Sequence, residues 1–194
     1  QPWLFRGYIE DGLFQSIDEI NNSAVRLTSN GSRLPTDPTT GVWVGDVKYK
    51  DISGPDGKPD GKIDFHDETN IGNPWPKLFG GLTNSFSYKG FDLSILITGT
   101  FGQDVYNHIA KVNSKTSTIY TSRNLLQEAL NYARVVTKNG DIVIENAGTN
   151  VPRFTNSQIA NDNNYNTTSS RWVEDGSYLR LKNISLSYNL PTSL

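Results

Sequence analysis

At 194 residues and a formal net charge of −2, the chain is long enough for one domain with a real core, or two small ones. It has no basic stripe to hold nucleic acid, and without cysteine it can form no disulfide, zinc–thiolate site or reactive thiol. No run approaches the roughly 18 apolar residues of a membrane helix, which leaves open a membrane β-barrel with short, alternating strands. Hydrophobic residues make up only 35%, yet 9 Tyr, 8 Phe and 4 Trp accompany 17 Gly, a mix that favours strands and turns. The opening QPWLFRGYIEDG lacks the basic and apolar regions of a signal peptide, and the chain has no Met. A piece of a longer protein is therefore expected.

In chain order, Trp3 to Phe5 reads as extended, Gly7-Tyr8 as a corner, and Asp18-Glu19-Ile20 as the start of a helical turn. Residues 31–41 are a loop by composition, and Trp43 to Tyr49 is predicted as a short strand. Residues 51–76, dense in Asp, Gly and Pro, form a further loop. In the next stretch Leu82, Phe86 and Tyr88 share one face and Thr83, Ser85 and Ser87 the other. After Lys89-Gly90, Phe91, Leu93, Ile95 and Ile97 alternate with Asp92, Ser94, Leu96 and Thr98. Period two on both sides of a Gly-containing two-residue connection predicts a hairpin. Thr121 to Val136 places Leu125, Leu126, Ala129, Leu130 and Ala133 on one stripe, which predicts an amphipathic helix. Residues 137–170 read as a long, Asn-rich loop. Period two returns in Leu181 to Leu190, with Ile184, Leu186, Tyr188 and Leu190 on one side.

The acidic loop is the best candidate for chemistry. Calcium takes six to eight oxygens, supplied at alternating loop positions around a tight Gly turn. Asp60, Asp64 and Asp67 fit the second half of such a loop, with Gly61 at the turn and Asp51 or Asp56 completing the set. The other reading is a solvated acidic turn stiffened by Pro55 and Pro59. Trp43, Trp75 and Trp172 are candidates for stacking on a sugar substrate, or else packing and interface aromatics. Glu174-Asp175 is a carboxylate pair, but neighbours on a strand face opposite ways and cannot flank one scissile bond. His66 and His108 lack ligand spacing, and no nucleophile or phosphate-loop motif is present. An enzyme is not expected.

Four segments, in order, resemble the SusC/RagA family of TonB-dependent outer-membrane transporters. They are Gly7 to Ser16 with Asp18-Glu19-Ile20; Gly45 to Asp51 with the acidic loop and Ile71 to Pro74; Gly80-Gly81 through Leu93 to Gly102-Gln-Asp-Val-Tyr-Asn107; and Arg171 to Asn183. The resemblance spans nearly the whole chain. It implies an all-β fold, part of a large antiparallel transmembrane β-barrel with long extracellular loops and one short loop helix. It also implies that 1–194 is a C-terminal part lacking the plug, the TonB-contacting segment, the earlier strands and the last strands. Lys89-Gly90 would be a periplasmic turn and 107–170 an extracellular loop. Phe91, Leu93, Ile95, Ile97, Ile184, Leu186 and Tyr188 would face membrane lipid. The implied partners are a SusD-like surface lipoprotein, TonB, and an oligosaccharide or peptide substrate; the implied place is the bacterial outer membrane. The competing expectation is a soluble all-β, calcium-stabilised glycan-binding or adhesin module. In that case the Phe91–Ile97 face packs on a second sheet.

Overall fold

The computed structural model describes residues 3–115 and 124–190. In chain order its strands are β1 (Phe5–Gly7), β2 (Glu10–Leu13), β3 (Val25–Arg26), β4 (Val47–Tyr49), β5 (Lys62–Ile63), β6 (Thr69–Gly72), β7 (Leu78–Tyr88), β8 (Phe91–Phe101), β9 (Asp104–Tyr106), β10 (Val135–Lys138), β11 (Asp141–Ile144), β12 (Val173–Asp175) and β13 (Tyr178–Tyr188). Its helices are α1 (Ile17–Asn22), α2 (His108–Ser114) and α3 (Gln158–Asn161). The chain divides into two units, one built on Gly72–Val105 and the chain from Glu174 onward, the other on Phe5–Ile71 and Tyr106–Val173.

The first unit is an antiparallel sheet in the order β13-β8-β7, each strand 11 residues long. Lys89 and Gly90 both have positive φ, 48° and 83°, the geometry of a tight hairpin turn whose twist matches the strands it joins. Tyr88 faces Phe91 across it, as the alternation predicts. The register gathers most of the large apolar side chains on one face: Tyr88, Phe91 and Tyr188 form one rung, Phe86, Leu93 and Leu186 another, and Leu82, Ile97 and Leu181 a third, while Phe79, Leu96 and Tyr178 fall on the other. On the other face Ser85, Ser94 and Ser185 are in line, and Asp92 accepts from the hydroxyl of Ser87 and from Asn189 Nδ2 (2.7 Å).

One feature of β13 escapes simple period-two reading. Leu179 and Leu181 are odd-numbered while Ile184, Leu186 and Tyr188 are even, yet all five lie on the apolar face. A register shift between Leu181 and Asn183 makes this possible, with Lys182 as the extra residue of a β-bulge. A bulge inserts one residue and so reverses the parity beyond it.

The second unit has a core of short strands and loops around Leu13, Phe14, Ile20, Val25, Val42, Val44, Val47 and Ile63. Helix α1 forms where predicted: Ser16 caps it by accepting from Glu19 N–H at 3.1 Å, and Ile20 is buried in the core. Two expectations are corrected here. The strand predicted over 43–49 is confined to β4; Trp43 to Asp46 is a turn, with Asp46 N–H donating to Trp43 C=O (3.0 Å) and Gly45 at φ 87°. The helix predicted over 121–136 is absent from 124–136, and residues 121–123 lie outside the described ones. A short 3-10 turn (Gln127–Asn131) is followed by β10. The apolar stripe does not find a single partner surface: Ala129 and Ala133 are buried, while Leu130 is 77% exposed. β-Branched Val135 and Val136 pair instead with Val143 and Ile144, across a turn in which Asn139 and Gly140 have φ of 54° and 92°. The Asn-Gly pair between Val-Val and Ile-Val-Ile is a hairpin signal that the helical-period reading of 121–136 obscures.

Candidate functional site

The acidic loop is ordered by its own carboxylates. Asp67 is buried, accepting from the backbone N–H of Ile52 (2.8 Å) and Ser53 (3.1 Å) on one oxygen and of Asp64 (2.9 Å) on the other. Asp64 completes a capping box, accepting from His66 N–H at 2.8 Å. That bond, against partial burial and helped by the His66 imidazole, holds Asp64 below the ordinary carboxylate range. Asp51 accepts from Gly61 N–H (2.6 Å), and Asp60 from Lys62 N–H (3.1 Å). Asp56 lies in the exposed turn between Pro55 and Gly57. Among the described residues no three carboxylate or imidazole side chains are grouped as a metal centre. Calcium at this loop therefore stands as a proposal that requires the carboxylates to exchange backbone amides for a cation.

The three candidate tryptophans have different surroundings. Trp172 is 5% exposed and packs beside Tyr165, with ring centroids 6.4 Å apart. Trp75 is 62% exposed, following an Asn73 side chain that accepts from its N–H at 2.9 Å. Trp43 is partly buried and forms a wall of a slot of about 490 Å³ in the second unit.

That slot brings together residues which sequence reading did not single out: Tyr132, Arg134, Val135, Glu145, Arg153 and Phe154. Tyr132 and Phe154 meet edge-on, 5.8 Å between centroids, and Arg134 pairs with Glu145 at 3.1 Å. Its floor is held by a buried polar network. Asp46, with no exposed surface, receives Nε and Nη2 of Arg153 at 2.8 and 3.1 Å, Asn164 Nδ2 at 2.8 Å and Trp43 N–H at 2.8 Å. Asn164 in turn accepts from Val47 N–H (2.8 Å), and Asn163 donates to Val47 C=O (2.9 Å). Gly45 is required beside this network. Its backbone is in the left-handed region, and a Cβ there would sit 3.0 Å from Arg153 Cβ and 3.2 Å from Ala133 Cβ. The Asn-rich stretch that reads as a loop is thus a source of core polar groups, its amides satisfying backbone that β4 alone cannot.

Strands of equal length with one mainly apolar face, interrupted at Asn84, and one face of mostly small polar residues, which also carries Phe79, Leu96 and Tyr178, are of the class from which membrane barrels are built. The comparisons agree. The chain is 31% identical to TonB-dependent receptor P26 of Formosa agariphila over 188 residues, covering 97% of this chain and 16% of that protein. It is 29% identical to TonB-dependent receptor P3 of the same organism, covering 97% of this chain and 15% of that one. No family model matches it. Among solved structures, a chain of the RagAB peptide transporter superposes with a TM-score of 0.61 at 21% identity, covering 98% of this chain and 17% of that one. The RagAB peptide importer in its closed-closed state gives 0.56 at 19% identity, with 98% and 17% covered. The chain belongs to the TonB-dependent receptor family, with the all-β fold of the matching part of a RagAB chain. It spans about one-sixth of the length of the curated relatives it matches.

Proposed function

We propose that this chain is a C-terminal stretch of the barrel of an outer-membrane importer, which takes up an oligosaccharide or peptide with a SusD-like surface lipoprotein and is driven through TonB. The observation that carries the reading is the sheet β13-β8-β7. Aromatic residues stand at both ends of β8 on the apolar face: Phe91, its ring 4.5 Å from that of Tyr188, and Phe101. Ten residues along a strand span about 33 Å, or about 25 Å when tilted as barrel strands are. That is the height of the apolar band between two aromatic girdles. Short turns on the periplasmic side and long connections outside would assign Lys89-Gly90 to the periplasm and 107–170 to the cell exterior. The relatives, named as receptors and transporters, support import over catalysis. Deleting the intact gene and measuring uptake of labelled oligosaccharides and peptides tests the proposal. Loss of uptake of one class, restored by the gene but not by a copy lacking its TonB-contacting segment, is expected. Unchanged uptake of every class, or recovery of the protein in the soluble fraction, would overturn it.

A further inference from the structure

We propose that the slot beside β10 binds its cargo as an added β-strand, so that the substrate is an extended peptide; this rests on the import reading above. The register of β10 and β11 closes on Lys138 and Asp141 around a two-residue turn. In an antiparallel pair, hydrogen-bonded and non-bonded positions alternate from that closing pair. Lys138 and Val136 therefore turn their backbone groups toward β11. Arg134 keeps the phase, its C=O accepting from Glu145 N–H at 2.8 Å. The N–H and C=O of Val135 and Thr137 point the other way. Among the described residues nothing bonds to them there, since β10 and β11 form a two-stranded sheet.

The edge begins paired and then opens. Ala133 N–H donates to Val151 C=O at 2.9 Å, beside a single parallel bridge between Tyr132 and Val151. Two residues on, Arg153 N–H turns instead to Gly45 C=O at 2.9 Å, anchored by the Asp46 ion pair. Chain 151–154 thus leaves β10 after one rung, and Trp43, Tyr132 and Phe154 wall the slot at the point of departure. A strand entering there would continue the ladder that Val151 starts. It would meet amide groups repeating every second residue, about 6.6 Å apart. A peptide matches that repeat with its own amides and seats an apolar or aromatic side chain among the rings. The Arg134–Glu145 pair is charge-neutral, so the slot selects by backbone and shape rather than by charge.

The test uses the intact transporter in detergent and calorimetric titration with the capped peptide Ac-Thr-Val-Phe-Val-Thr-NH2. Two analogues carry N-methyl groups on alternate amides, and maltoheptaose is the glycan control. One analogue is expected to lose binding and the other to keep it, because alternate N–H groups face the edge. Thr137→Pro deletes an outward N–H and no bond within the hairpin, a substitution edge strands tolerate. It should weaken the parent peptide roughly three- to tenfold while the melt is unchanged. Phe154→Ser should reduce the preference for Phe over Ala at the central position. No peptide binding, equal loss with both analogues, or maltoheptaose binding that Phe154→Ser removes would overturn strand addition. If cells with Thr137→Pro import peptides as well as wild type, strand addition fails while import stands. If cells without the transporter import equally, the import reading itself fails.

Discussion

Asp46 holds three parts of the second unit together, accepting from its own turn at Trp43, from Arg153 and from Asn164. Two buried charges in a bidentate pair attract strongly, and removing one leaves the other desolvated without a partner. Asp46→Ala is expected to cost about 3–5 kcal/mol, seen as a lower melting temperature and proteolysis within 106–173 in the intact protein. Adding Arg153→Met should recover part of that loss, since the stranded charge goes with it. Asp64 gives a pH signature. Its folded pKa lies below the unfolded 3.8, so its contribution is fully present above that value and is lost as pH falls through the lower folded one. Protease protection of 51–67 should therefore hold near neutrality and decline only in strongly acidic buffer, with Asp64→Asn flattening the dependence. Calcium titration of the intact protein decides the cation proposal. Heat that Asp64→Ala and Asp67→Ala abolish would assign an ion; none at millimolar calcium would leave a turn held by carboxylate-to-amide bonds.

At the scale of elements, the three long strands depend on parity. Ile95 sits in the middle of the apolar face, between Ile184 and Asn84, and Ser94 sits opposite Ser85 and Ser185 on the polar one. If the face meets lipid as proposed, Ile95→Lys in the intact protein costs about 2–4 kcal/mol near the bilayer midplane, and Ser94→Lys much less. Folding yields into lipid vesicles measure the difference, and equal costs would count against a lipid-facing Ile95. The bulge makes a sharper test. Deleting Lys182 removes the extra residue and sends Leu179 and Leu181 to the polar face, or forces Ile184 to Tyr188 there. Outer-membrane assembly should fail, whereas Lys182→Ser keeps the residue count and should assemble.

At the scale of the whole chain, β7 and β13 are the outer strands of the described sheet, and their apolar face is open, with Leu82, Phe86, Ile184 and Leu186 more than half exposed. Unpaired edges and uncovered apolar surface are what a closed barrel in lipid removes. Residues 1–194 expressed alone are expected to aggregate in water and to be ordered only within a larger assembly. Sedimentation of the isolated chain measures this. A stable, detergent-free monomer with a cooperative melt would favour a soluble sandwich instead.

The hairpin β7–β8 and most of β13 were legible in the residues, because alternation along a strand and turn chemistry at Lys89-Gly90 are local properties. The helical turn at Asp18-Glu19-Ile20 was legible for the same reason, whereas the cap at Ser16 emerged only with the structure. Residues 121–136 and 137–170 were not. A stripe such as Leu125 to Ala133 specifies a helix only if one surface covers all of it, and here Ala133 is buried while Leu130 is exposed. The bulge at Lys182 depends on a partner strand, since parity has meaning only against β8. The same holds for the slot. Trp43 and the acidic loop stand out by residue type, but Arg153, Asn163 and Asn164 reach Asp46 and Val47 from more than a hundred residues away. By itself, the sequence determined the strand class, the turn and the family likeness. Which polar groups are buried, and which strand edge is left open, was decided only by long-range packing, because burial is a property of what folds on top.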